Sequence, residues 1–145
     1  MQLFLGGACA GKRERVSERF PQASWIQASE ALERMPSPHL PESHAEVVIH
    51  GWLEWLEDVC RKGSGAGREN DALRECWCKA FRDWAGRESA DVVLIVPEVG
   101  RGIVPVEPLQ RRLRDLAGWL AQDAADASSR VWHVRHGLVM ALKGP

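Results

Sequence analysis

Short apolar runs alternate along this chain with longer stretches of helical periodicity or helix-forming composition. The runs are rich in aliphatic and β-branched residues and are bounded by glycine, proline or charged residues, as expected of buried strands. They predict strands at 2–5, 24–28, 46–50, 91–96 and 130–136, with a return at 138–142. The longer stretches predict helices at 12–20, 51–61, 71–87 and 108–127. This alternation is typical of an α/β domain whose mainly parallel sheet is covered by helices on both faces.

Two segments interrupt the alternation. Residues 29–44 contain Pro36, Pro38 and Pro41 with little periodicity, which predicts about one helical turn followed by an exposed loop. Residues 62–69 are rich in glycine and predict a flexible linker between two helices.

Length and charge limit the possible classes of protein. With 145 residues, of which 45% are hydrophobic, the chain is sized for one compact domain spanning residues 1–145. Its 19 Lys and Arg nearly balance its 20 Asp and Glu, so no overall field attracts it to nucleic acid. No apolar run approaches the roughly 20 residues of a membrane helix, and the first residues lack the basic segment of a signal peptide. We therefore expect a cytoplasmic protein with no membrane span and no nucleic acid partner.

The segment after the first predicted strand carries the clearest chemical signal. Gly6-Gly7-Ala8-Cys9-Ala10-Gly11-Lys12 fits the pattern G-x-x-x-x-G-K in the strand-loop-helix context that the pattern requires. Glycines let backbone N–H groups turn toward a phosphate, and Lys12 would reach the terminal phosphates of a nucleotide. The alternative is an ordinary turn with a solvated lysine. Since parallel sheets bind ligands at the carboxyl ends of their strands, this loop, His50 and residues 97–102 are expected along one rim.

Arg13 follows this loop at the position where a Ser or Thr hydroxyl usually ligates Mg²⁺. A guanidinium cannot coordinate a cation, although it can pair directly with phosphate oxygens. Phosphate binding is therefore better supported than metal-dependent turnover, and no residue is assigned as a metal ligand. The four cysteines lack C-x-x-C spacing and are expected to be reduced thiols. His133 and His136, on opposite faces of a predicted strand, are expected to be edge or interface residues.

A second pattern follows the central apolar run. It reads Val96-Pro97-Glu98-Val99-Gly100-Arg101-Gly102-Ile103-Val104-Pro105, and the predicted helix behind it contains Arg114-Asp115-Leu116-Ala117-Gly118. Together with the glycine loop, these segments resemble the bifunctional adenosylcobinamide kinase/adenosylcobinamide-phosphate guanylyltransferase family, which carries an E-V-G-x-G-I-V-P loop and an R-D-x-A-G helix. The resemblance implies a three-layer P-loop NTPase-like domain that is shortened in the middle.

The resemblance also implies a nucleotide-dependent step of cobalamin biosynthesis. Members of the family phosphorylate the hydroxyl of the aminopropanol arm of adenosylcobinamide, transfer GMP from GTP to that phosphate through a guanylylated histidine, and form trimers. The implied ligands are GTP or ATP, Mg²⁺ and a corrinoid, and the implied assembly is a homotrimer. By position, Gly6–Arg13 would bind the nucleotide, and Lys12 and Glu98 would be catalytic. The alternative for Glu98 is a carboxylate that holds the glycine loop in place.

Other residues of the matched segments are expected to have structural roles. Gly100 and Gly102 would meet backbone requirements of the loop, and Arg114 and Asp115 would make hydrogen bonds beneath it. Among the seven tryptophans, those on the stripe of helix 71–87 are expected in the core. The tryptophans Trp52, Trp55 and Trp119 either join that core or line a subunit interface or a corrinoid surface.

The chain departs from the family pattern at the expected metal site and at the expected histidine. His50 stands where the family has an acidic residue near Mg²⁺, and imidazole is a poor ligand for that ion. His39 and His44 lie in the proline-rich loop that replaces the family's histidine segment and are expected to be solvated, so the guanylyltransferase site is not carried over. Two alternatives remain: a catalytically impaired relative that serves as a nucleotide-binding or regulatory subunit, and a P-loop kinase for another hydroxylated substrate.

Overall fold

The computed structural model describes residues 1–33, 46–63, 67–88, 91–100 and 102–144. The strands are β1 Gln2–Gly6, β2 Ser24–Gln27, β3 Val47–His50, β4 Val92–Pro97, β5 Arg130–Arg135 and β6 Leu138–Lys143. The helices are α1 Lys12–Arg19, α2 Ala28–Glu33, α3 Trp52–Lys62, α4 Gly67–Ala85 and α5 Pro108–Ala127. The predicted alternation of strands and helices is therefore confirmed, including the last helix over its whole predicted length.

The strands form one sheet in the order β2-β3-β4-β1-β5-β6. All neighbouring strands are parallel except β5 and β6, which form an antiparallel hairpin. This arrangement confirms the predicted α/β class with a mainly parallel sheet. It also places the carboxyl ends of β1, β3 and β4 at one edge, where the sequence predicted the functional rim.

The two faces of the sheet are covered unequally. Right-handed crossovers place a helix on one face when the chain moves one way along the sheet and on the opposite face when it moves back. Among the parallel connections, only the one from β1 to β2 runs toward the β2 edge of the sheet. Its helix, α1, packs through Val16 on a face of the sheet that no other helix covers in the described residues. The other four helices pack on the opposite face. Among the helices of the described residues, none is long and apolar enough to cross a membrane.

A cluster of tryptophans fills the space between the helices of the thicker layer. Trp52, Trp77 and Trp84 are fully buried, and Trp52 meets Phe81 and Trp84 edge to face at centroid distances of 5.5 and 6.2 Å. The expected core positions of Trp77 and Trp84 are confirmed, and Trp52 joins them. Aromatic edge-to-face contacts of this kind add about 0.5–1.5 kcal/mol beyond the area that they bury, so this cluster anchors α3 and α4 on the sheet.

The predicted linker over residues 62–69 is too long. Helix α3 continues to Lys62, and α4 already begins at Gly67. A contact with α5 explains the difference, since Arg112 donates to Asn70 Oδ1 at 2.9 Å and approaches Glu69 Oε2 at 3.4 Å. Tertiary contacts thus hold a helical turn that glycine content alone does not favour. Of the segment 29–44, α2 supplies the expected turn, and residues 34–45 lie outside the described residues.

Candidate phosphate-binding site

The glycine loop lies between the end of β1 and the start of α1, as predicted. Lys12 opens α1, and its Nζ donates to the carbonyl oxygens of Gly6 at 2.8 Å and Gly7 at 2.6 Å. The ammonium group therefore lies across the mouth of the loop. The loop is also held from the hairpin side, because the backbone N–H of Gly137 donates to the carbonyl of Ala10 at 2.9 Å.

Gly6 is required by close packing at the base of the loop. A Cβ atom built on Gly6 would collide with the carbonyl oxygen of Val134 on the neighbouring strand β5. Real Cβ atoms do not approach a backbone oxygen so closely, and neither strand can move without breaking the parallel pairing of β1 with β5. The first glycine of the motif therefore brings the loop close to the sheet.

A cavity of about 380 Å³ opens beside the loop. It is bordered by Ala8–Glu14 from the loop and the first turn of α1, by the segment from His50 to Glu54, and by Ile95 and Pro97 of β4. This volume falls in the lower part of the range of small-molecule sites. Of the predicted nucleotide-binding residues, Ala8 to Arg13 line the cavity, whereas Gly6 and Gly7 contribute the carbonyls that hold Lys12.

Lys12 is partly buried, with the carboxylate of Glu98 nearby. Burial lowers the pKa of its ammonium group, while Cys9 and Glu98 act to raise it. Burial removes water that would otherwise solvate the charge, and a nearby carboxylate restores part of that stabilisation. Water therefore solvates the positive charge at the mouth of the loop only in part.

Glu98 lies at the carboxyl end of β4, directly beside the base of the loop. Its backbone N–H donates to the carbonyl of Gly6 at 2.8 Å. Its Oε2 lies 3.1 Å from Nε2 of His133 on β5, and the His133 side chain is only 14% exposed. Because β1 separates β4 from β5 in the sheet, the carboxylate and the imidazole meet across the end of β1.

The expectation that His133 lies on an edge strand is therefore wrong, whereas the interface alternative stays a prediction. Strand β5 lies inside the sheet between β1 and β6 and is no edge, and His133 contacts the predicted catalytic carboxylate. His136 lies in the turn after β5, with a φ of 52°. Sequence reasoning missed the pair because alternation predicts the face of a residue but not which strand lies beside it. The sequence did contain one signal for this contact. Strand β5 follows a helix long enough to cross over the sheet, and such a connection favours parallel pairing with a strand inside the sheet.

On the other side of the loop, Arg13 contacts His50. Arg13 Nη2 lies 2.7 Å from His50 Nδ1, and the Trp25 ring lies beside both groups, 5.8 Å from the guanidinium carbon and 5.7 Å from the imidazole centroid. A guanidinium can only donate, so Nδ1 must carry a lone pair. Burial and the charge of Arg13 lower the pKa of His50, while Glu54 acts to raise it. An imidazole that accepts this hydrogen bond is in its neutral form.

The residues at this position do not fit the Mg²⁺ that the family resemblance implies. Arg13 presents N–H donors where a hydroxyl ligand is expected, and His50 Nδ1 already accepts the hydrogen bond from Arg13. The carboxylates of Glu14 and Glu54 border the same cavity. Within the part of the chain that the structure describes, however, no three His, Cys, Asp or Glu side chains converge, and the cysteines are free.

The loop after β4 has the backbone that its glycines predict. Gly100 has a φ of 101° and Gly102 a φ of 148°, which side chains rarely adopt. Arg114 Nη2 donates to the carbonyl of Gly100 at 2.6 Å, so the predicted structural role of Arg114 is confirmed. Asp115 is exposed and borders a separate cavity with Arg112. Among the described residues, it does not form the hydrogen bond that was expected beneath the loop.

A second, more apolar cavity lies next to the first. It has a volume of about 250 Å³ and is bordered by Leu53, Val99, Ile103 and Leu113, among others. Leu53 lines both cavities. The rim therefore offers a polar compartment at the glycine loop and an apolar compartment beneath the loop after β4.

A glycine loop between a first strand and a helix, with a lysine across its mouth at the carboxyl edge of a mainly parallel sheet, defines a P-loop NTPase-like α/β protein. The family described as cobinamide kinase / cobinamide phosphate guanyltransferase matches residues 12–142. This chain belongs to that family. The family predicted from the glycine loop and the loop after β4 is thereby confirmed.

Individual relatives agree with this assignment. The chain is 36% identical to the bifunctional adenosylcobalamin biosynthesis protein CobP of Pseudomonas aeruginosa, over 98% of this chain and 96% of that protein. That alignment spans 177 positions, more than the 145 residues of this chain, as predicted for a shortened member. Over 37% of this chain and 30% of the relative, it is 46% identical to the bifunctional adenosylcobalamin biosynthesis protein CobU of Escherichia coli.

A solved structure shows the same fold at much lower identity. A protein from Pyrococcus horikoshii OT3 matches 99% of this chain and 86% of its own chain, with a TM-score of 0.50 and 9% identity. At that identity the likeness concerns the fold alone.

Proposed function

We propose that this protein is a nucleoside-triphosphate-dependent transferase of cobalamin biosynthesis that phosphorylates the hydroxyl of adenosylcobinamide. The observation that carries the proposal is the placement of Lys12 across the mouth of the glycine loop in a chain that belongs to the cobinamide kinase family. GTP or ATP would donate the phosphoryl group. The subsequent transfer of GMP, which the family resemblance implies, stays a prediction with no histidine assigned to it, and His39 and His44 lie outside the described residues.

In the proposed reaction, backbone N–H groups of the loop and the Lys12 ammonium bind the phosphates of the nucleotide. The acceptor hydroxyl attacks the terminal phosphorus, and the bond to the bridging oxygen breaks. Glu98 accepts the hydroxyl proton, since its backbone is bonded to Gly6 at the base of the loop and its carboxylate acts on the pKa of Lys12. His133 holds the Glu98 carboxylate in place from the other side, which makes it a positioning residue.

We place the acceptor in the apolar cavity beside the loop. This compartment shares Leu53 with the polar cavity, so a molecule bound there would reach the phosphate site directly. Its lining combines aliphatic side chains with Glu57, Gln110 and Arg114, and its volume of about 250 Å³ holds only part of a corrinoid. The hydroxyl arm would point toward Lys12 while the rest of the molecule stays outside the cavity. The exposed Ile103 at its edge would lose water on binding such a molecule.

The experiment that tests the proposal is product analysis. The purified protein is incubated with GTP or ATP and adenosylcobinamide, in parallel with a panel of nucleosides, and phosphorylated products are identified by mass spectrometry. We expect phosphorylated adenosylcobinamide from the native protein and none from Lys12→Ala. Lys143→Ala is the matched control, because that ammonium binds carbonyls of α5 far from the loop. Phosphorylation of a nucleoside in preference to adenosylcobinamide would contradict the proposed substrate and identify the protein as a kinase for another hydroxylated compound.

The second candidate function is a nucleotide-binding or regulatory subunit without turnover. The Arg13–His50 contact favours it, because both residues replace groups that the family resemblance assigns to metal-dependent catalysis. Saturable nucleotide binding that depends on Lys12, combined with no phosphorylated product under any condition, would establish this second function.

We also propose that the protein assembles as a homotrimer, as the family resemblance implies. Supporting surface comes from β6, a sheet edge on which Leu138, Met140 and Leu142 are each more than half exposed. Contiguous exposed apolar residues of this kind are typical of an interface. Light scattering coupled to size-exclusion chromatography measures the mass directly, and a monomer at micromolar concentration would contradict the assembly.

A further inference from the structure

Resting on the proposed nucleotide binding, we infer that this site binds the phosphate chain without a divalent metal, using the guanidinium of Arg13, oriented by His50, as its second cation. The family pattern places Mg²⁺ beside the loop lysine, with a hydroxyl and a carboxylate as protein ligands. Here the same two positions hold a cationic donor and a neutral acceptor that are bonded to each other. The question is therefore whether Mg²⁺ or the guanidinium of Arg13 is the second positive charge that binds the phosphates, next to Lys12.

The geometry directs Arg13 toward the ligand. Arg13 lies next to Lys12 in the first turn of α1, and both residues border the cavity of about 380 Å³. The bond from Nη2 to His50 Nδ1 uses one of the five N–H donors of the guanidinium. Trp25 flanks the same group at 5.8 Å, which limits its rotation. A guanidinium that is held in this way can give parallel hydrogen bonds to two phosphate oxygens.

The identity of residue 50 matters because of its charge. An aspartate or glutamate at this position would form an ion pair with Arg13 and neutralise the charge that a phosphate requires. His50 accepts the hydrogen bond while neutral, so it orients the guanidinium and leaves its full positive charge in the cavity. Arg13 and His50, the two departures from the family pattern, therefore act together. The guanidinium of Arg13 takes the place of the bound Mg²⁺, and His50 orients it.

The same charge opposes a bound metal ion. The family pattern already combines a loop lysine with the metal, so the additional opposition comes from Arg13. A dication beside the loop would lie close to the Arg13 guanidinium, and like charges repel at such distances. It would also have to compete with Arg13 for phosphate oxygens. Metal-independent binding is thus the direct consequence of the arrangement.

The test is calorimetric titration of the full chain with non-hydrolysable GTP and ATP analogues, in EDTA and in excess MgCl₂. For the native protein we expect affinities in the two conditions to agree within about threefold. Arg13→Ala should weaken binding in EDTA by about tenfold, the effect of losing one charge-assisted contact. Arg15→Ala is the matched control, since Arg15 pairs with Glu18 on the exposed side of α1, and its affinity should stay within about twofold of native.

A double variant tests the coupling in the opposite direction. Arg13→Ser with His50→Asp supplies the hydroxyl and the carboxylate of the family pattern, and we expect this protein to bind at least about tenfold more tightly with Mg²⁺ than in EDTA. Circular dichroism checks that each variant is folded. The comparison of native affinities in EDTA and in MgCl₂ does not depend on any variant.

Two outcomes would overturn the inference and remain distinct. Native binding that is lost in EDTA and restored by Mg²⁺ rejects the inference but leaves the proposed nucleotide-dependent function intact. No binding in either condition, with Lys12→Ala indistinguishable from the native protein, rejects the proposed function as well.

Discussion

The two flanks of the glycine loop differ in what holds them. On the Glu98 flank, formed by Glu98 and His133, the backbone of Glu98 is bonded to Gly6 inside the sheet, and the flanking sequence follows the family pattern. On the Arg13 flank, formed by Arg13 and His50, the contact joins two side chains at the cavity surface, and both residues depart from the family pattern. The backbone of the first flank is part of the fold, whereas the second consists of side chains that can be exchanged without moving a strand.

This contrast indicates which part of the chemistry can change in evolution. Altering the backbone on the Glu98 flank would disturb the pairing of β1 with β4. Altering Arg13 and His50 together changes the charge in the cavity, and the hydrogen bond between them is not part of the pairing of the strands. Under the proposed function, such a change would leave Glu98 and His133 in place and alter the way in which the charge of the phosphates is balanced.

The largest effect is expected from Glu98→Gln. If Glu98 accepts the proton of the acceptor hydroxyl, turnover should fall at least about 100-fold, while nucleotide affinity stays within about twofold of native. Steady-state kinetics and calorimetry measure the two quantities separately. Glu88→Gln, at an exposed position, is the control. Equal losses of affinity and turnover would show that Glu98 holds the loop and takes no proton.

Asp123→Ala should destabilise the helical layer and leave both flanks unchanged. Asp123 accepts hydrogen bonds from Arg74 and from the buried indole of Trp77, each at 2.8 Å. Removing the carboxylate leaves the Trp77 N–H without its partner, at a cost of about 2 kcal/mol. Urea denaturation measures the loss, and Asp126→Ala, exposed on the same helix, should change the free energy of unfolding by less than about 0.5 kcal/mol. A change in nucleotide affinity would contradict the independence of the two regions.

His133→Leu separates positioning from binding on the Glu98 flank. Without the imidazole, the Glu98 carboxylate loses a contact at 3.1 Å, and we expect kcat to fall by about tenfold with an unchanged KM for the nucleotide. His133→Gln keeps a polar partner and should recover most of the loss. If KM rose and kcat did not change, His133 would act on binding and the positioning role would be wrong.

The smallest effect is expected from the titration of His50. Because burial and Arg13 lower its pKa in the folded protein, the unfolded chain binds this proton more readily. The stabilisation is therefore present above the ordinary histidine pKa of about 6.5 and is lost as the pH falls through the lowered value. Urea midpoints at pH 7.5 and 5.5 should differ less for His50→Asn than for the native protein. An equal difference would show that His50 does not titrate with folding.

Local pattern predicted most of the fold and the centre of the site. The alternation of apolar runs with helical stretches predicted each strand, the P-loop motif predicted the position of Lys12, and the matched segments predicted the family. These features depend on neighbours in the chain, because helical periodicity, strand alternation and the turn into α1 involve residues only a few positions apart.

Only the tertiary structure decided which side chains meet. Glu98 and His133 come together because β1 lies between β4 and β5, and Arg13 reaches His50 because α1 begins beside the end of β3. The first turn of α4 likewise depends on Arg112 of α5. Strand order and helix docking are set by the burial of whole apolar faces and by the handedness of crossovers, so contacts between distant residues appear only after the complete chain has packed.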